Sequence, residues 1–413
     1  MKVLWLVSVT MTPAARALGL PAPVGGGWLD GMLGRLRGRV ELVIASVNAA
    51  VGPQPKPVET DGVRFWVLPR GEQADFAALL AREQPDLVQI WGTEYPAASA
   101  LLAAAGPRRT LVTIQGLMGP CAEHLLDGVP AEYCGSCPAQ RLVDKLVPGG
   151  LLDKKQAWFD AQAGREAALL AGTAHVSGRT PWDKAQLARL APHAAYYSCG
   201  EILRPAFYTA RWPGMPEKPV VFLTQGNYPL KGLHRLIQAL PAVLRRYPDL
   251  TVRVAGWPPL DKGPLLRPVI RWMFPYQRYL ETLARQLGVA HAIRYTGPLD
   301  EAGMLHQMQS ASVFVLCSSI ENSPNSLGEA MLLGMPCVAA DTGGVPGMAA
   351  HEQEALLYPP ADTEALSAAL LRLLDDPAYA AQLGRAARQR ALVTHDPQRN
   401  SRALETIYQT IAE

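Results

Sequence analysis

The sequence lacks several features that would place a chain of this length in a specialised class. Lysine and arginine exceed aspartate and glutamate by only three, so no nucleic-acid footprint is expected. No apolar run approaches the roughly 18 residues that a membrane-spanning helix needs. Six cysteines in 413 residues do not form a disulfide framework. No Gly-x-Gly-x-x-Gly follows a first strand in either half, which argues against a dinucleotide-dependent oxidoreductase.

The composition that is present is that of an ordinary globular protein, with 49% apolar and 18% charged residues. The length fits two domains better than one. Met1 and Lys2 precede a short β-rich apolar stretch, VLWLVSV, which suits a buried first strand better than a signal peptide. We therefore expect a cytoplasmic protein, with peripheral association at the inner face of a membrane as a further hypothesis.

Short apolar runs alternate with helical patterns along the whole chain, which indicates βαβ units around parallel sheets. Strands are predicted at 3–9, 40–47, 63–68, 86–91, 110–115, 174–176, 194–199, 220–225, 251–255, 293–295, 313–317, 337–340 and 355–358. Helices are predicted at 74–83, 95–105, 233–246, 276–287 and 400–412.

The domain boundaries follow from a segment rich in proline and glycine between the two alternating halves. We expect an N-terminal domain over 1–205, a linker over 206–218 and a C-terminal domain over 219–395. The final helix, 396–413, has no strand after it and is expected to cross back to the first domain. Ligands of such domains bind at the carboxyl ends of the strands.

The most informative stretch is 318–348, SSIENSPNSLGEAMLLGMPCVAADTGGVPGM. A buried strand leads into a polar loop and then into a helix that begins near Ser326. Asn325 or Ser326 is expected to cap this helix, whose positive end suits a pyrophosphate. Glu321 in the loop and Glu329 in the helix can accept hydrogen bonds from sugar or ribose hydroxyls. By spacing alone, a dipole-stabilising Glu329 and a solvated Glu321 fit as well.

This stretch resembles the donor-binding signature of glycosyltransferase family 4, a group of retaining enzymes with the GT-B fold. The shared pattern is Glu321, seven residues, Glu329, a helix, Gly334-Met335-Pro336 and then Gly343-Gly344-Val345-Pro346. The resemblance implies an α/β protein with two Rossmann-like domains whose parallel sheets face each other across a cleft. It implies that Glu329 binds the nucleotide ribose and Glu321 the transferred sugar. It also assigns five further donor-binding residues, namely Asn322, Ser323, Asn325, Ser326 and Leu327.

Lys231, in Leu-Lys-Gly-Leu after the first strand of the second half, resembles the Lys-Gly motif of the same family. The resemblance implies that Lys231 neutralises the leaving diphosphate, whereas an ordinary exposed lysine is the alternative. Many relatives carry an arginine five or six residues earlier, where Gln225 and Gly226 stand here. We expect Asn227 with backbone amides, or an arginine from elsewhere, to replace that charge.

Two further positions in the first half resemble donor-side elements of the family. Gly26 and Gly27, in a glycine triplet before a predicted helix, resemble its glycine loop facing the donor, although a flexible loop is the alternative. Gln115 ends a strand where many members carry a histidine. Glutamine can hydrogen-bond the reacting centre but cannot take a proton. This suits a retaining mechanism in which the departing phosphate accepts the proton, so Gln115 joins Glu321 and Lys231 as a predicted catalytic residue.

The acceptor is predicted to contact residues that follow another strand of the first half. The segment Trp91-Gly92-Thr93-Glu94 is similar to a motif of bacterial members that take part in polysaccharide assembly. Trp91 and Glu94 are the candidates, with packing at a helix start as the alternative. Arg179 is a candidate both for the acceptor side and for the missing positive charge, while a structural salt bridge fits it equally well.

A structural zinc site is a separate hypothesis, because catalysis in the family requires no cofactor. Four residues have acceptable ligand spacing in an otherwise irregular stretch, namely Cys121, His124, Cys134 and Cys137. Unliganded thiols are the alternative. The segment 265–280, LLRPVIRWMFPYQRYL, mixes basic and aromatic residues. It suits either a peripheral membrane contact or an ordinary packed insertion.

These patterns together predict a metal-independent, retaining glycosyltransferase. Its partners would be a nucleotide-sugar donor, with a UDP-sugar favoured, and a carbohydrate or lipid-linked acceptor, in the synthesis of cell-surface polysaccharide or glycoconjugate. Two alternatives stay open at this point: a non-catalytic sugar-nucleotide-binding subunit and a nucleotide-sugar epimerase of the same fold. An acceptor-dependent product would separate the transferase from both.

Overall fold

The computed structural model describes residues 1–21, 27–69, 75–145, 150–256 and 267–413. Their contacts divide the chain into two compact units. The first unit comprises Met1–Gly119, Ala161–Pro205 and Thr394–Glu413. The second comprises Pro120–Asp160 and Ala206–Val393.

The first unit is built on an eight-stranded sheet. Its strands are β1 (Lys2–Val7), β2 (Glu41–Val47), β3 (Lys56–Thr60), β4 (Val63–Leu68), β5 (Leu87–Trp91), β6 (Thr110–Thr113), β7 (His175–Gly178) and β8 (Ala195–Ser198). They are ordered β3-β4-β2-β1-β5-β6-β7-β8. Each neighbouring pair is parallel except β3 and β4. The carboxyl ends of the parallel strands therefore share one edge of the sheet.

The second unit is built on a six-stranded parallel sheet. Its strands are β9 (Val220–Leu223), β10 (Thr251–Val254), β11 (Ile293–Tyr295), β12 (Val313–Leu316), β13 (Cys337–Ala340) and β14 (Leu356–Tyr358). The order is β11-β10-β9-β12-β13-β14, with all pairs parallel. The central strands β9, β12 and β13 are buried along their whole length. Continuous apolar runs of this kind are typical of parallel sheets covered on both faces.

Helices connect the strands in both units. In chain order they are α1 (Thr12–Ala17), α2 (Gly27–Leu36), α3 (Phe76–Glu83), α4 (Pro96–Ala105), α5 (Met118–His124), α6 (Ala131–Cys134), α7 (Pro138–Val143), α8 (Leu152–Ala171), α9 (Pro181–Leu190), α10 (Pro205–Thr209), α11 (Leu233–Arg246), α12 (Arg267–Met273), α13 (Pro275–Gln286), α14 (Glu301–Gln309), α15 (Asn325–Leu333), α16 (Val345–Met348), α17 (Thr363–Asp375), α18 (Pro377–Thr394) and α19 (Pro397–Ala412). Among the residues described, no helix is both long enough and apolar enough to cross a membrane.

The predicted strands and helices are confirmed within a few residues, and 63–68, 233–246, 293–295 and 337–340 match in full. Strand β3 escaped prediction because it lies at the sheet edge and none of its residues is fully buried. Such a strand has no apolar face, so its sequence shows no alternation.

The segment 120–160 belongs to the second unit, although the sequence analysis placed it within a first domain that ends at residue 205. The Tyr133 ring lies 5.1 Å from the Tyr279 ring, and Gln140 Nε2 donates to the Trp272 carbonyl at 2.6 Å. Leu152 is part of the apolar core of the second unit. These contacts join residues more than a hundred positions apart, so they cannot be predicted from local periodicity.

Candidate functional site

The turn after β9 brings the Lys-Gly motif against the end of β12. Gly232 has φ +69°, and a Cβ there would meet the Cys317 carbonyl oxygen at 1.8 Å. Only glycine fits this conformation and this close approach. The Ser319 amide donates to the Leu230 carbonyl at 2.8 Å, which ties the two segments together. Lys231 is thereby held beside the loop that carries Glu321.

Lys231 and Glu321 form a partly buried ion pair at this edge of the second sheet. Lys231 Nζ donates to Glu321 Oε1 at 2.5 Å, and the Ser318 hydroxyl donates to the same oxygen at 2.7 Å. Burial alone would lower the pKa of Lys231, but the Glu321 carboxylate and the Tyr228 phenol raise it above its usual value. The ammonium group therefore stays charged at neutral pH.

The Gly-Gly-Val-Pro loop fixes the backbone of Glu321. Gly343 has φ +54°, and a Cβ there would lie 2.0 Å from the Glu321 carbonyl oxygen. The Gly344 amide donates to that same oxygen at 2.9 Å. The Thr342 hydroxyl donates to the Ser319 carbonyl at 2.8 Å. The glycines of this loop thus have a specific structural purpose, which is to hold the loop of Glu321.

Helix α15 begins directly after that loop, and its start differs from the prediction. Pro324 is the N-cap and no side chain caps the helix, so the predicted capping by Asn325 or Ser326 is wrong. Asn325 Oδ1 is buried and has no hydrogen-bond partner among the residues that the structure describes. The positive end of an uncapped helix attracts an anion.

The remaining predicted donor residues of this segment are mostly buried. Asn322, Ser323 and Glu329 are each at most 9% exposed. Leu327 is fully buried, and its amide donates to the Pro324 carbonyl. Its side chain therefore packs in the core and offers no polar group to a ligand.

Asn227 and Tyr228 lie between β9 and Lys231. Asn227 is exposed, and its carbonyl accepts a hydrogen bond from Gln277 at 3.1 Å. Lys231 Nζ lies 5.8 Å from the centroid of the Tyr228 ring. Sequence reasoning missed Tyr228, although its position three residues before Lys231 was a usable signal.

The predicted acceptor residues lie in the first unit, after β5. Trp91 is buried against the rings of Trp5 and Trp28, each at 5.2 Å, and its Nε1 has no hydrogen-bond partner among the described residues. Glu94 Oε2 is likewise buried without a partner. Burial raises the pKa of Glu94, although the nearby Arg179 opposes that rise.

Gln115 and Arg179 are linked in the first unit by a backbone contact. Arg179 donates to the Gln115 carbonyl at 2.8 Å and pairs with the buried Glu201 carboxylate at 2.5 Å. Both partners of that ion pair are almost fully buried. This arrangement favours the structural salt bridge over a phosphate-binding role for Arg179.

Glu166 in α8 is a buried carboxylate that the sequence did not single out. The Thr93 hydroxyl donates to Glu166, as does the Met118 amide at 2.6 Å. Burial raises its pKa to about 7, and the charge of Glu94 acts in the same direction. No motif surrounds this position, so only the fold reveals that two carboxyl groups share this part of the first unit.

The four predicted zinc ligands are not brought together. His124 Nδ1 bonds the Asp127 carboxylate at 2.8 Å, and the Cys134 thiol contacts the carbonyls of Val129 and Pro130. Within the described ranges, no group of three or more His, Cys, Asp or Glu side chains has an arrangement suited to a metal ion. Cys121 and His124 lie on α5, Cys134 ends α6, and Cys137 is the N-cap of α7.

Two other predicted features fall partly outside the described residues. Gly26 of the glycine triplet and residues 265–266 of the basic and aromatic segment lie outside the described residues. Gly27 is described and begins α2. In the rest of 265–280, Arg271 pairs with Glu281 at 2.9 Å, and Tyr276 is fully buried. These contacts favour the packed insertion, and membrane contact stays a prediction.

Two parallel α/β units are the architecture of the GT-B class of glycosyltransferases. The likeness to solved structures extends over the whole chain. A sucrose-phosphate synthase from Thermosynechococcus elongatus has a TM-score of 0.74 at 18% identity, covering 100% of this chain and 99% of the other. The predicted fold, with two Rossmann-like domains of the GT-B class, is confirmed.

Residues 211–390 match the model of the family described as glycosyl transferases group 1. The matched part of the chain holds Lys231, Glu321 and Glu329.

Curated relatives match about half of the chain. A glycogen synthase of Mycobacterium tuberculosis is 30% identical over 213 residues, which are 50% of this chain and 47% of the relative. A GDP-mannose-dependent alpha-(1-6)-phosphatidylinositol monomannoside mannosyltransferase of Mycolicibacterium smegmatis is 31% identical over 188 residues, 43% of this chain and 44% of the relative. The chain thus spans about half the length of the relatives it matches.

Proposed function

We propose that this chain transfers a sugar from a nucleotide diphosphate-sugar to a carbohydrate or lipid-linked carbohydrate, with retention of anomeric configuration. The observation that carries the proposal is the Lys231–Glu321 ion pair, next to the uncapped start of the helix that bears Glu329. The match of residues 211–390 to the model described as glycosyl transferases group 1 supports it. So do the names of the two relatives, one a synthase of a glucose polymer and one a transferase that uses GDP-mannose.

The donor would complete interactions that the protein alone leaves unfinished. The diphosphate would take the charge of Lys231 and the positive end of α15, and it would draw the ammonium away from Glu321. Glu321, held by the Gly344 amide, could then accept hydrogen bonds from hydroxyls of the transferred sugar. Glu329 would bind the ribose. Asn325 Oδ1, which has no partner among the described residues, would accept a hydrogen bond from the same ligand.

Retention is what the resemblance of residues 318–348 to glycosyltransferase family 4 implies. Independence from metal ions rests on the type of charge available. An ammonium group and a helix end can stabilise a leaving diphosphate without a cation cofactor. Gln115 cannot take a proton, so the departing phosphate would accept the proton of the acceptor hydroxyl. UDP is the carrier we favour, because it is the commonest in the family that the donor signature resembles.

The acceptor side is proposed to involve Trp91 and Glu94. In the part of the chain that the structure describes, Trp91 Nε1 and Glu94 Oε2 have no hydrogen-bond partner, and an unpaired buried polar group is costly. A hydroxyl-rich carbohydrate offers both a donor and an acceptor.

The experiment is a thermal-shift panel of UDP, GDP, ADP and their sugar conjugates on the wild type and on Glu329→Ala. We expect one nucleotide family to raise the melting temperature of the wild type and to lose most of that effect in the variant. Glu364→Ala is the matched control, because Glu364 is an exposed carboxylate in the first turn of α17 in the same unit.

Two results would count against the proposal. If no nucleotide at millimolar concentration changes the melting temperature of the wild type, the chain has no donor site of the proposed kind. Nucleotide-sugar binding without any acceptor-dependent product would instead favour the non-catalytic subunit.

A further inference from the structure

A cavity in the second unit shares one residue, Tyr228, with the surroundings of Lys231 and is otherwise lined by residues that the proposed donor site does not use. We call it the Lys155 cavity. Its volume is about 360 Å³, within the range of pockets that hold small molecules. The lining residues are Asp144, Leu151, Lys154, Lys155, Trp158, Phe159 and Tyr228. Three aromatic rings and two lysines therefore dominate its wall.

The charges in the Lys155 cavity do not balance. Asp144 accepts a hydrogen bond from Lys154 Nζ at 2.5 Å, so these two charges neutralise each other. Lys155 forms no ion pair with any residue that the structure describes, and its ammonium lies 5.2 Å from the centroid of the Tyr228 ring. Burial, with no carboxylate to offset it, lowers the pKa of Lys155. One positive charge is left over in a mainly apolar wall, where an anion would be attracted.

One aromatic residue of the wall, Trp158, is unusually accessible. Trp158 is 50% exposed, whereas tryptophan is on average highly buried. Its ring meets that of Phe159 edge to face at 5.1 Å. Accessible aromatic faces pack well against the C–H face of a sugar ring, because the face is electron-rich and the C–H groups are weakly positive. The wall thus suits a carbohydrate that carries a negative charge.

Tyr228 connects this cavity to the donor residues. Its ring centroid is 5.2 Å from Lys155 Nζ and 5.8 Å from Lys231 Nζ, so the two ammonium groups are at most the sum of these distances apart. An acceptor must lie next to the bond that is broken at the donor diphosphate. A cavity that shares Tyr228 with the neighbourhood of Lys231 meets that requirement.

We propose that the Lys155 cavity binds the anionic group of a carbohydrate acceptor, a phosphate or a carboxylate on a sugar, with Lys155 as the counter-charge. This inference rests on the proposed function and adds the chemical class of the acceptor to it. Lys155 binds and orients the acceptor, and no bond is formed or broken at its ammonium group.

The test measures binding by calorimetry on the full chain, with glucose 6-phosphate and glucuronate as free anionic probes and glucose as the neutral probe. Vesicles of phosphatidylinositol in phosphatidylcholine, against phosphatidylcholine alone, distinguish a lipid-borne anion from a free one. Lys155→Met should weaken binding of the anionic probe roughly tenfold or more, as expected for loss of a charged hydrogen bond. Lys155→Arg should retain most of the binding.

Lys184→Met is the matched control, because Lys184 also lies over a tyrosine ring, at 5.7 Å from Tyr196, but in the first unit. A second readout is acetylation of Lys155 by acetic anhydride, followed by mass spectrometry. The anionic probe should protect Lys155, and glucose should not.

The outcomes separate this proposal from the donor site. The proposal would be overturned if the anionic probes bind the wild type no better than glucose does, or if they bind Lys155→Met as well as the wild type. In either case the nucleotide-induced rise in melting temperature, and its loss in Glu329→Ala, would still support the donor site. A Lys155→Met variant that loses nucleotide binding and keeps the anionic sugar would also overturn it, since Lys155 would then serve the donor diphosphate. An absent nucleotide shift in the wild type would show instead that the proposed function has failed.

Discussion

Two buried carboxylates of the first unit, Glu83 and Glu166, show how the environment of a residue sets its charge. Burial would raise the pKa of Glu83, but hydrogen bonds from Trp66, Arg64 and Lys2 lower it overall. Glu166 has no cation among its hydrogen-bond donors, and burial raises its pKa to about 7. The first carboxylate is thus charged at neutral pH, whereas the second is close to its midpoint.

The raised pKa of Glu166 predicts a fall in stability with rising pH. The folded state holds the Glu166 proton more tightly than the unfolded state, so the free energy of unfolding decreases between the unfolded value of 4.5 and about 7. Glu166→Gln should remove roughly 3 kcal/mol of that decrease, at 1.36 kcal/mol per pKa unit. Chemical denaturation of both proteins from pH 4.5 to 8 measures the difference.

Glu83→Gln serves as the control, because it should leave this decrease in place. Parallel pH profiles of the wild type and Glu166→Gln would show that Glu166 does not titrate in this range.

At the scale of elements, two close contacts that require glycine, and one backbone hydrogen bond, place the donor residues. The turn at Gly232 sets Lys231 against the end of β12, and Gly343 with Gly344 holds the loop of Glu321. These contacts connect the ends of β9, β12 and β13, which are neighbours in the sheet. The site is therefore assembled by loops at adjacent strand ends, as in other parallel α/β sheets.

Gly232→Ala should be more destabilising than the same change at Gly288. Both glycines have φ near +70°, but a Cβ at Gly288 meets nothing within 4 Å, whereas at Gly232 it meets the Cys317 carbonyl oxygen at 1.8 Å. We expect Gly288→Ala to cost about 1–2 kcal/mol from backbone strain alone. Gly232→Ala should cost at least twice that and should weaken nucleotide binding, because Lys231 must move.

Denaturant titration and nucleotide thermal shifts of the two variants test this expectation. Equal losses of stability, with nucleotide binding intact in both, would contradict the role of the close contact at Gly232.

At the scale of the whole molecule, the first unit is completed by the end of the chain. Helix α19 belongs to this unit, and Tyr408 on it is fully buried. Its hydroxyl accepts a hydrogen bond from Trp5 Nε1 at 2.8 Å and donates to Gln89 Oε1. The first strand, the fifth strand and the last helix thus share one buried polar network.

Tyr408→Phe should destabilise the first unit by about 1–3 kcal/mol, because Trp5 Nε1 and Gln89 Oε1 lose their partner in a buried setting. Hydrogen exchange should quicken in β1 and β5, while the strands of the second unit stay protected. Tyr358→Phe is the matched control, since the buried Tyr358 hydroxyl has no hydrogen-bond partner to lose within the described ranges. Exchange that is unchanged in β1 and β5 would show that the network contributes little.

The sequence by itself determined the two alternating α/β halves, the positions of nearly all described strands, and the donor signature around Glu321, Glu329 and Lys231. These features can be predicted from the sequence because they depend on local periodicity, on turn residues and on short motifs. Only the tertiary structure decided that residues 120–160 pack within the second unit and that Arg179 is engaged by Glu201. It also decided that Lys155 has no ion-pair partner in the described part of the chain. Each of these depends on side chains distant in sequence, whose proximity no local pattern encodes.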